Sequence, residues 1–431
     1  MKPHVREILC VEPLQLVLRL RAEKNVTLLE SVMRHEHLGR YSYIACNPVE
    51  TLYDASLADI RQTLLLYPQE HVEGLPPFQG GLAGYISYDY GRRLEPRSKI
   101  PDFQKLCPDL ILHHYDTVIS FDHLLEKAWI VARHESDADI LEKLLKQPLK
   151  ALGPTDIPNW TSNFSRETYE NAVQKTINYI LAGDIFQANI TQCFEAPVPD
   201  KFDALAFYKR LRDMNPATFA AYLHYGDVQI VSSSPERLVN CNGGRVEARP
   251  IKGTRRRDLD DGRDRDLVAD LLASPKDRAE NVMIVDLLRN DLSRISKPGT
   301  VDVPVLCGLE TYANVHHLVS VVTGELRDAV DLADVLGAVF PGGSITGAPK
   351  IRAMEIIAEL EQRARGVYCG AIGYLGFNGA CDFNIAIRTA LFSGGKAYVQ
   401  GGGGITARSE PASEYDESLT KIKRIMEAFC P

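Results

Sequence analysis

From Ser165 onward the apolar positions fall into a helical rhythm. Tyr169, Val173, Ile177 and Ile180 recur three or four residues apart until Gly183, and Ser165 supplies a capping hydroxyl in front of them. The same periodicity predicts helices over Asp277 to Leu292, Thr346 to Glu361 and Glu414 to Phe429. Between them lie short apolar or alternating runs that read as strands: DVQIVSSS, HHLVSVVTGEL, CGAIGYLGF, NIAIRTALF and KAYVQ. Residues 1–150 alternate apolar segments with turns, as in GRYSYIACNPVETLYDA and GGLAGYISYDYGRR, and predict strands mixed with short helices. The turn formers of GPTDIPNWTSNFS, Gly153 to Ser165, mark a linker or seam, which divides the chain into regions 1–152 and 165–431. Strands gathered in clusters, with few strict strand–helix repeats, predict an α+β layered fold over a doubly wound parallel sheet.

Composition narrows the class. The chain has 431 residues, 45% hydrophobic and 25% charged, enough for a large layered domain with subdomains. No apolar run reaches the ~20 residues a membrane span needs. The N-terminal apolar run is broken by Glu12, Pro13 and Arg19 and does not read as a signal peptide. Nine cysteines are scattered without ligand spacing, which predicts reduced thiols and a cytoplasmic protein. The net charge of −8 argues against nucleic acid as the main partner, and it means that an anionic substrate needs local arginines, backbone N–H groups or a cation.

The candidate chemistry is distributed. Asp277 and Glu280, and Glu414 and Glu417, are acidic pairs three residues apart on two predicted helices; facing each other, they could hold a hard cation such as Mg²⁺. The plainer alternative is macrodipole compensation, with Glu417 paired to Lys421. The glycine run Gly401 to Gly404 after KAYVQ is either a flexible turn or a place where backbone N–H groups meet an anion. PGGSITGAPK, Pro341 to Lys350, lacks phosphate-loop order and leaves Ser344 and Thr346 as capping hydroxyls or ligand contacts. Arg388, within NIAIRTALF, needs either a structural acid or a substrate carboxylate. His317 reads first as a structural histidine, and Glu236 in VSSSPERL as a solvated acid or a proton donor at a cleft edge. In RPIKGTRRR, Arg249 to Arg257, Lys252 is a nucleophile only if its neighbours depress its pKa from the usual ~10.4. Arg255 to Arg257 are expected to be an exposed basic run.

Six motifs in order, SPERL, PIKGT, DRAENVMIVDLLRND, VHHLVS, PGGSITGAPKIRAMEII and GGGGI with SEYDESLTK, resemble those of the chorismate-utilising enzymes over about 165–431. LLES at 28–31 and GRYSYIACNP at 39–48 extend the likeness to the subgroup containing anthranilate synthase component I and aminodeoxychorismate synthase component I. The resemblance implies a fold of antiparallel sheets covered by helices. Lys252 looks like the latter enzymes, since anthranilate synthases carry a small residue there. Gln187 stands near the position where water-adding relatives have a lysine.

The resemblance further implies Glu280 and Glu417 as direct Mg²⁺ ligands, with Asp277 and Glu414 holding metal-bound waters. Arg388, Tyr368 and the backbone of Gly402, Gly403 and Gly404 would bind the enolpyruvyl carboxylate, and Thr254 and His317 would line the ring pocket. Glu236 would be the general acid and Lys252 the nucleophile. The implied reaction is amination of chorismate at C4 to 4-amino-4-deoxychorismate, for 4-aminobenzoate and folate biosynthesis. Ammonia is expected from a glutamine amidotransferase subunit, and a separate lyase is expected to finish the aromatic product. The alternatives are anthranilate synthase component I and a non-catalytic tryptophan- or chorismate-sensing subunit.

Overall fold

The computed structural model describes residues 1–34, 38–312 and 315–430. Two large antiparallel sheets dominate it, one of twelve strands and one of ten among the described residues. Apolar residues of one sheet, Leu223, Ile230 and Leu391, share a buried cluster with Tyr85, Ile111 and Ile372 of the other, so the sheets lie face to face. Helices cover the outer faces. Pro13–Leu20, Ala204–Met214 and Pro411–Ala428 share a core with the larger sheet, and Pro275–Ser293 and Leu332–Val339 with the smaller. The α+β layered architecture read from the sequence is therefore the one observed.

Neither 1–152 nor 165–431 closes a sheet alone. Val26–Glu30 pairs with Phe219–Tyr225 in the larger sheet, and Gly81–Ile86 pairs with Ala371–Gly376 in the smaller. The segment between the regions runs without regular structure to a two-residue strand, Thr161–Ser162. Ser165 then caps helix Arg166–Leu181 through a reciprocal box with Thr168, a device worth about 1 kcal/mol.

Three expectations change. The helix foreseen from Thr346 begins at Lys350, because Gly343–Ile345 forms a 3₁₀ turn and Gly347–Ala348 a short strand before it. NIAIRTALF is two strands, not one: Cys381–Ile385 belongs to the smaller sheet and Thr389–Ser393 to the larger, and Arg388 lies in the crossover with φ +55°. Gly401 to Gly404 form no loop. They continue strand Lys396–Ile405, because Asn189, Ile190, Thr191 and Gln192 pair with them in register. All nine cysteines are free thiols, and no described helix is long and apolar enough to cross a membrane.

Candidate active site

Lys252 lies on strand Ile251–Arg256, whose pairing with Val315–Glu325 slips between Ile251 and Thr254, where Gly253 adopts φ +85°. Its Nζ donates to the Ser344 carbonyl at 3.2 Å. The Ser344 hydroxyl donates to Glu236 Oε1 at 2.8 Å. Burial pushes the Lys252 amine below its ordinary value, against the opposing pull of Glu280, Glu236 and Glu417, and Lys421 adds to the depression. Glu236 is 6% exposed, and burial raises its carboxyl although Ser344, Lys252, the Ile251 N–H and Arg388 favour the ionised form. A depressed amine and a raised carboxyl meeting at one turn form an arrangement suited to nucleophilic and acid chemistry.

Arg388 and Tyr368 come from neighbouring turns. Burial lowers the Arg388 guanidinium, with Tyr368, Glu417 and Glu236 opposing, yet its side chain has no ion pair among the described residues. A guanidinium held in a left-handed backbone conformation without a structural acid is one left open for an external anion. Tyr368 is buried, and its hydroxyl is pushed far above the usual range by desolvation.

The glycine strand completes this wall. Sheet pairing with Thr389–Ser393 ends at Val399, so the corresponding edge of Gly401–Gly404 has no strand partner among the described residues, although Lys421 Nζ donates to the Gly402 carbonyl at 2.9 Å. A Cβ at Gly402 would lie 2.1 Å from the Ile190 carbonyl oxygen, and one at Gly404 would lie 2.5 Å from Gln187 Nε2. Gln187 is fully buried, and neither amide atom has a hydrogen-bond partner among the described residues. An orphaned amide beside an open glycine edge is a strong sign of a polar ligand.

The acids stand on the two expected helices, Pro275–Ser293 and Pro411–Ala428. Burial raises Glu280 and Glu414; Asp277 and Glu414 add to the shift at Glu280, and Glu417 adds to that at Glu414. Glu280 Oε1 is buried without a hydrogen-bond partner, with Lys276 Nζ 4.0 Å away. Glu414 accepts from Ser409 at 2.7 Å. Burial alone would raise Glu417, but Lys421, 2.7 Å from its carboxylate, holds it lowered. Among the described residues no three His, Cys, Asp or Glu groups form a ready-made cation cluster. Lys252, Lys276 and Lys421 supply the balancing charge instead. The orphaned Glu280 oxygen and a surplus of carboxylates nevertheless fit a hard divalent ion.

His317 is buried, and desolvation pushes its ring down to about 4, so it is neutral at physiological pH. Thr254 is exposed rather than enclosed, and its hydroxyl lies 2.8 Å from His317 Nδ1; its visible work is to orient that ring. The basic run also differs from expectation: Arg255 is partly buried and bridges Asp270 at 2.7 Å and Asp277 at 3.3 Å, while Arg257 pairs with Asp264 at 3.1 Å. The acid-rich stretch DGRDRDLVAD was the available signal for Asp264 and Asp270. Ser344 had only the signal of a hydroxyl in a glycine-rich turn, which does not reveal that it touches two reactive groups.

Residues 28–427 match the family model described as chorismate binding enzyme. The chain is 39% identical to anthranilate synthase component 1 of Pseudomonas aeruginosa, over 96% of this chain and 92% of that protein. It is 41% identical to aminodeoxychorismate synthase component 1 of Escherichia coli, over 86% and 79% respectively. Anthranilate synthase component I from Streptococcus pneumoniae superposes with a TM-score of 0.80 at 32% identity, covering 91% of this chain and 94% of the other. The menaquinone-specific isochorismate synthase from Escherichia coli shares the fold, with a TM-score of 0.77 at 19% identity over 99% and 95%. On the match across nearly its whole length, the chain belongs to the chorismate-binding enzymes.

Proposed function

We propose that the protein aminates chorismate at C4, giving 4-amino-4-deoxychorismate, and that it receives ammonia from a glutamine amidotransferase subunit. The observation that carries this reading is Lys252: a partly buried amine with a depressed pKa, held at the turn that also holds a protonatable Glu236. A small side chain there would leave C2 open to ammonia, whereas a reactive amine occupies that approach.

The neutral Lys252 amine attacks C2 of the ring. The two ring double bonds shift, the C4–O bond breaks, and Glu236 gives its proton to the departing hydroxyl, which leaves as water. Ammonia then attacks C4, the double bonds shift back, and the C2–N bond breaks to release Lys252 as a neutral amine. The new C4 ammonium returns a proton to the Glu236 carboxylate, so acid and nucleophile are both regenerated. Arg388 and Tyr368, with the open edge of Gly402 to Gly404, hold the enolpyruvyl carboxylate, which is retained in the product. Neutral His317 borders the ring. Gln187 cannot serve as a base at neutral pH, which disfavours water as the nucleophile.

A divalent cation such as Mg²⁺, bound through Glu280 and Glu417 with Asp277 and Glu414 behind them, would supply positive charge to the ring carboxylate. The test is incubation of the pure chain with chorismate, Mg²⁺ and an ammonium salt. Product that becomes 4-aminobenzoate only after a lyase is added supports the proposal. Fluorescent anthranilate formed without a lyase overturns it in favour of C2 amination.

A further inference from the structure

We propose that Ser344 is a positioning residue that ties the proton donor to the nucleophile, its hydroxyl fixing Glu236 and its own carbonyl fixing Lys252. The inference rests on the reading of those two residues given above. It goes further by assigning their mutual alignment to one side chain in the turn Gly343–Ile345.

The turn is held from behind. The Ile345 carbonyl accepts from Asn189 Nδ2 at 3.1 Å and from Arg365 Nη1 at 3.2 Å. Arg365 is 1% exposed, and its Nε and Nη2 donate to Glu361 at 2.9 and 2.6 Å. Glu361 also accepts from the Thr191 N–H and hydroxyl at 2.9 and 3.0 Å. A buried ion pair of this kind adds little to stability over an apolar replacement. Its visible effect here is to fix the peptide next to Ser344. In front, a Cβ at Gly343 would lie 2.3 Å from Leu287 Cδ2, so the turn rests directly on the helix that carries Glu280.

Each contact has a chemical consequence. With the Ser344 hydroxyl donating to Oε1 of Glu236, the oxygen left to carry a transferable proton is Oε2. With one Lys252 N–H committed to the Ser344 carbonyl, rotation about the Cε–Nζ bond is restricted and the amine lone pair acquires a direction. The charged and titratable groups facing Glu236 are Lys252, Arg388 and Cys369; those facing Lys252 are Glu236, Glu280, Glu417 and Lys421. Only the hydroxyl contact is a side-chain bond of Ser344. Its removal withdraws a donor from ionised Glu236 and leaves the carbonyl contact to Lys252 intact.

The experiment uses the full chain carrying Ser344→Ala or Ser344→Thr, with chorismate, Mg²⁺ and saturating ammonium salt. Chorismate consumption is read across pH as the ratio of variant to wild type, so that the titration of ammonium cancels. For Ser344→Ala we expect kcat to fall about tenfold or more with KM within about twofold, and the ratio to fall further on the acid side while staying level on the alkaline side. Ser344→Thr, which keeps the hydroxyl, should recover most of the rate. A ratio independent of pH, a matched change at both limbs, or failure of Thr to rescue a folded protein would overturn the assignment. Because consumption is measured rather than one product, wild-type formation of anthranilate would overturn the proposed C4 chemistry without obscuring the Ser344 result.

Discussion

Gly253 and Asp277 are in contact so close that a Cβ on the glycine would lie 2.9 Å from the Asp277 Cβ, and the glycine holds φ +85°. The residue after the proposed nucleophile is thereby seated against the first turn of an acidic helix. Gly253→Ala should cost about 1–3 kcal/mol from positive φ and overlap, and should lower turnover more than it lowers the melting temperature would suggest. Unfolding midpoints and kcat measured together check this; an alanine variant with wild-type values in both would show that the strand has room to move.

Lys252→Ala should remove C4 amination by roughly three orders of magnitude or more, because the first displacement loses its nucleophile. Lys252→Arg should fare no better, since a guanidinium stays protonated. Intact-mass analysis of wild type mixed with chorismate, without ammonia, should reveal an adduct that peptide mapping locates at Lys252. Full rate and unchanged product from the alanine variant would defeat the proposal.

The pH dependence follows from two shifts of opposite sign. Glu236 is raised and must be protonated to act; Lys252 is lowered and must be neutral to act. The rate should therefore be bell-shaped, with an acid limb above the free glutamate value and an alkaline limb below the free lysine value. The two limbs belong to the pair. Glu236→Gln should abolish the alkaline fall and leave a slower rate that rises with pH to a plateau, which rate profiles at fixed free ammonia concentration would show.

Arg388→Met should raise KM for chorismate by about a hundredfold while leaving the melting temperature unchanged or higher, because among the described residues the guanidinium has no structural ion pair to lose. Calorimetric titration and thermal melts separate these effects. A large fall in melting temperature with binding preserved would mark Arg388 as structural instead.

Stability should decline as pH falls from about 6.5 toward 4, apart from activity. Burial lowers both His113 and His317 to about 4, so over that window these two rings bind more protons in the unfolded chain than in the folded one, outweighing the opposite contribution of raised carboxyls such as Asp89. The penalty is on the order of 2–3 kcal/mol per ring at the acid end. Urea midpoints that stay flat between pH 7 and 4.5 would contradict it.

Much of this was readable from residue order alone. The helix after Ser165 and the acidic helix near 277–292 follow from spacing that packing only confirms, because a long amphipathic pattern has one economical solution. NIAIRTALF failed for a tertiary reason: periodicity is blind to a crossover between sheets, and Arg388 sits in that crossover. The glycines failed similarly. Their lack of side chains suggests a loop until one sees Ile190, Ser418 and Gln187 pressing on them. Arg255 is held off the solvated surface by Asp270 and Asp277, which come from two different helices, a convergence that residue order does not display.

The shared construction of the two sheets also governs synthesis. Val26–Glu30 and Gly81–Ile86 emerge from the ribosome early, but their partners Phe219–Tyr225 and Ala371–Gly376 follow much later. At about 5–20 residues per second, the second edge waits on the order of tens of seconds for its neighbour. The nascent chain thus spends that interval with unmatched strand edges, which makes it most exposed to wrong pairing and aggregation before its last third has been made.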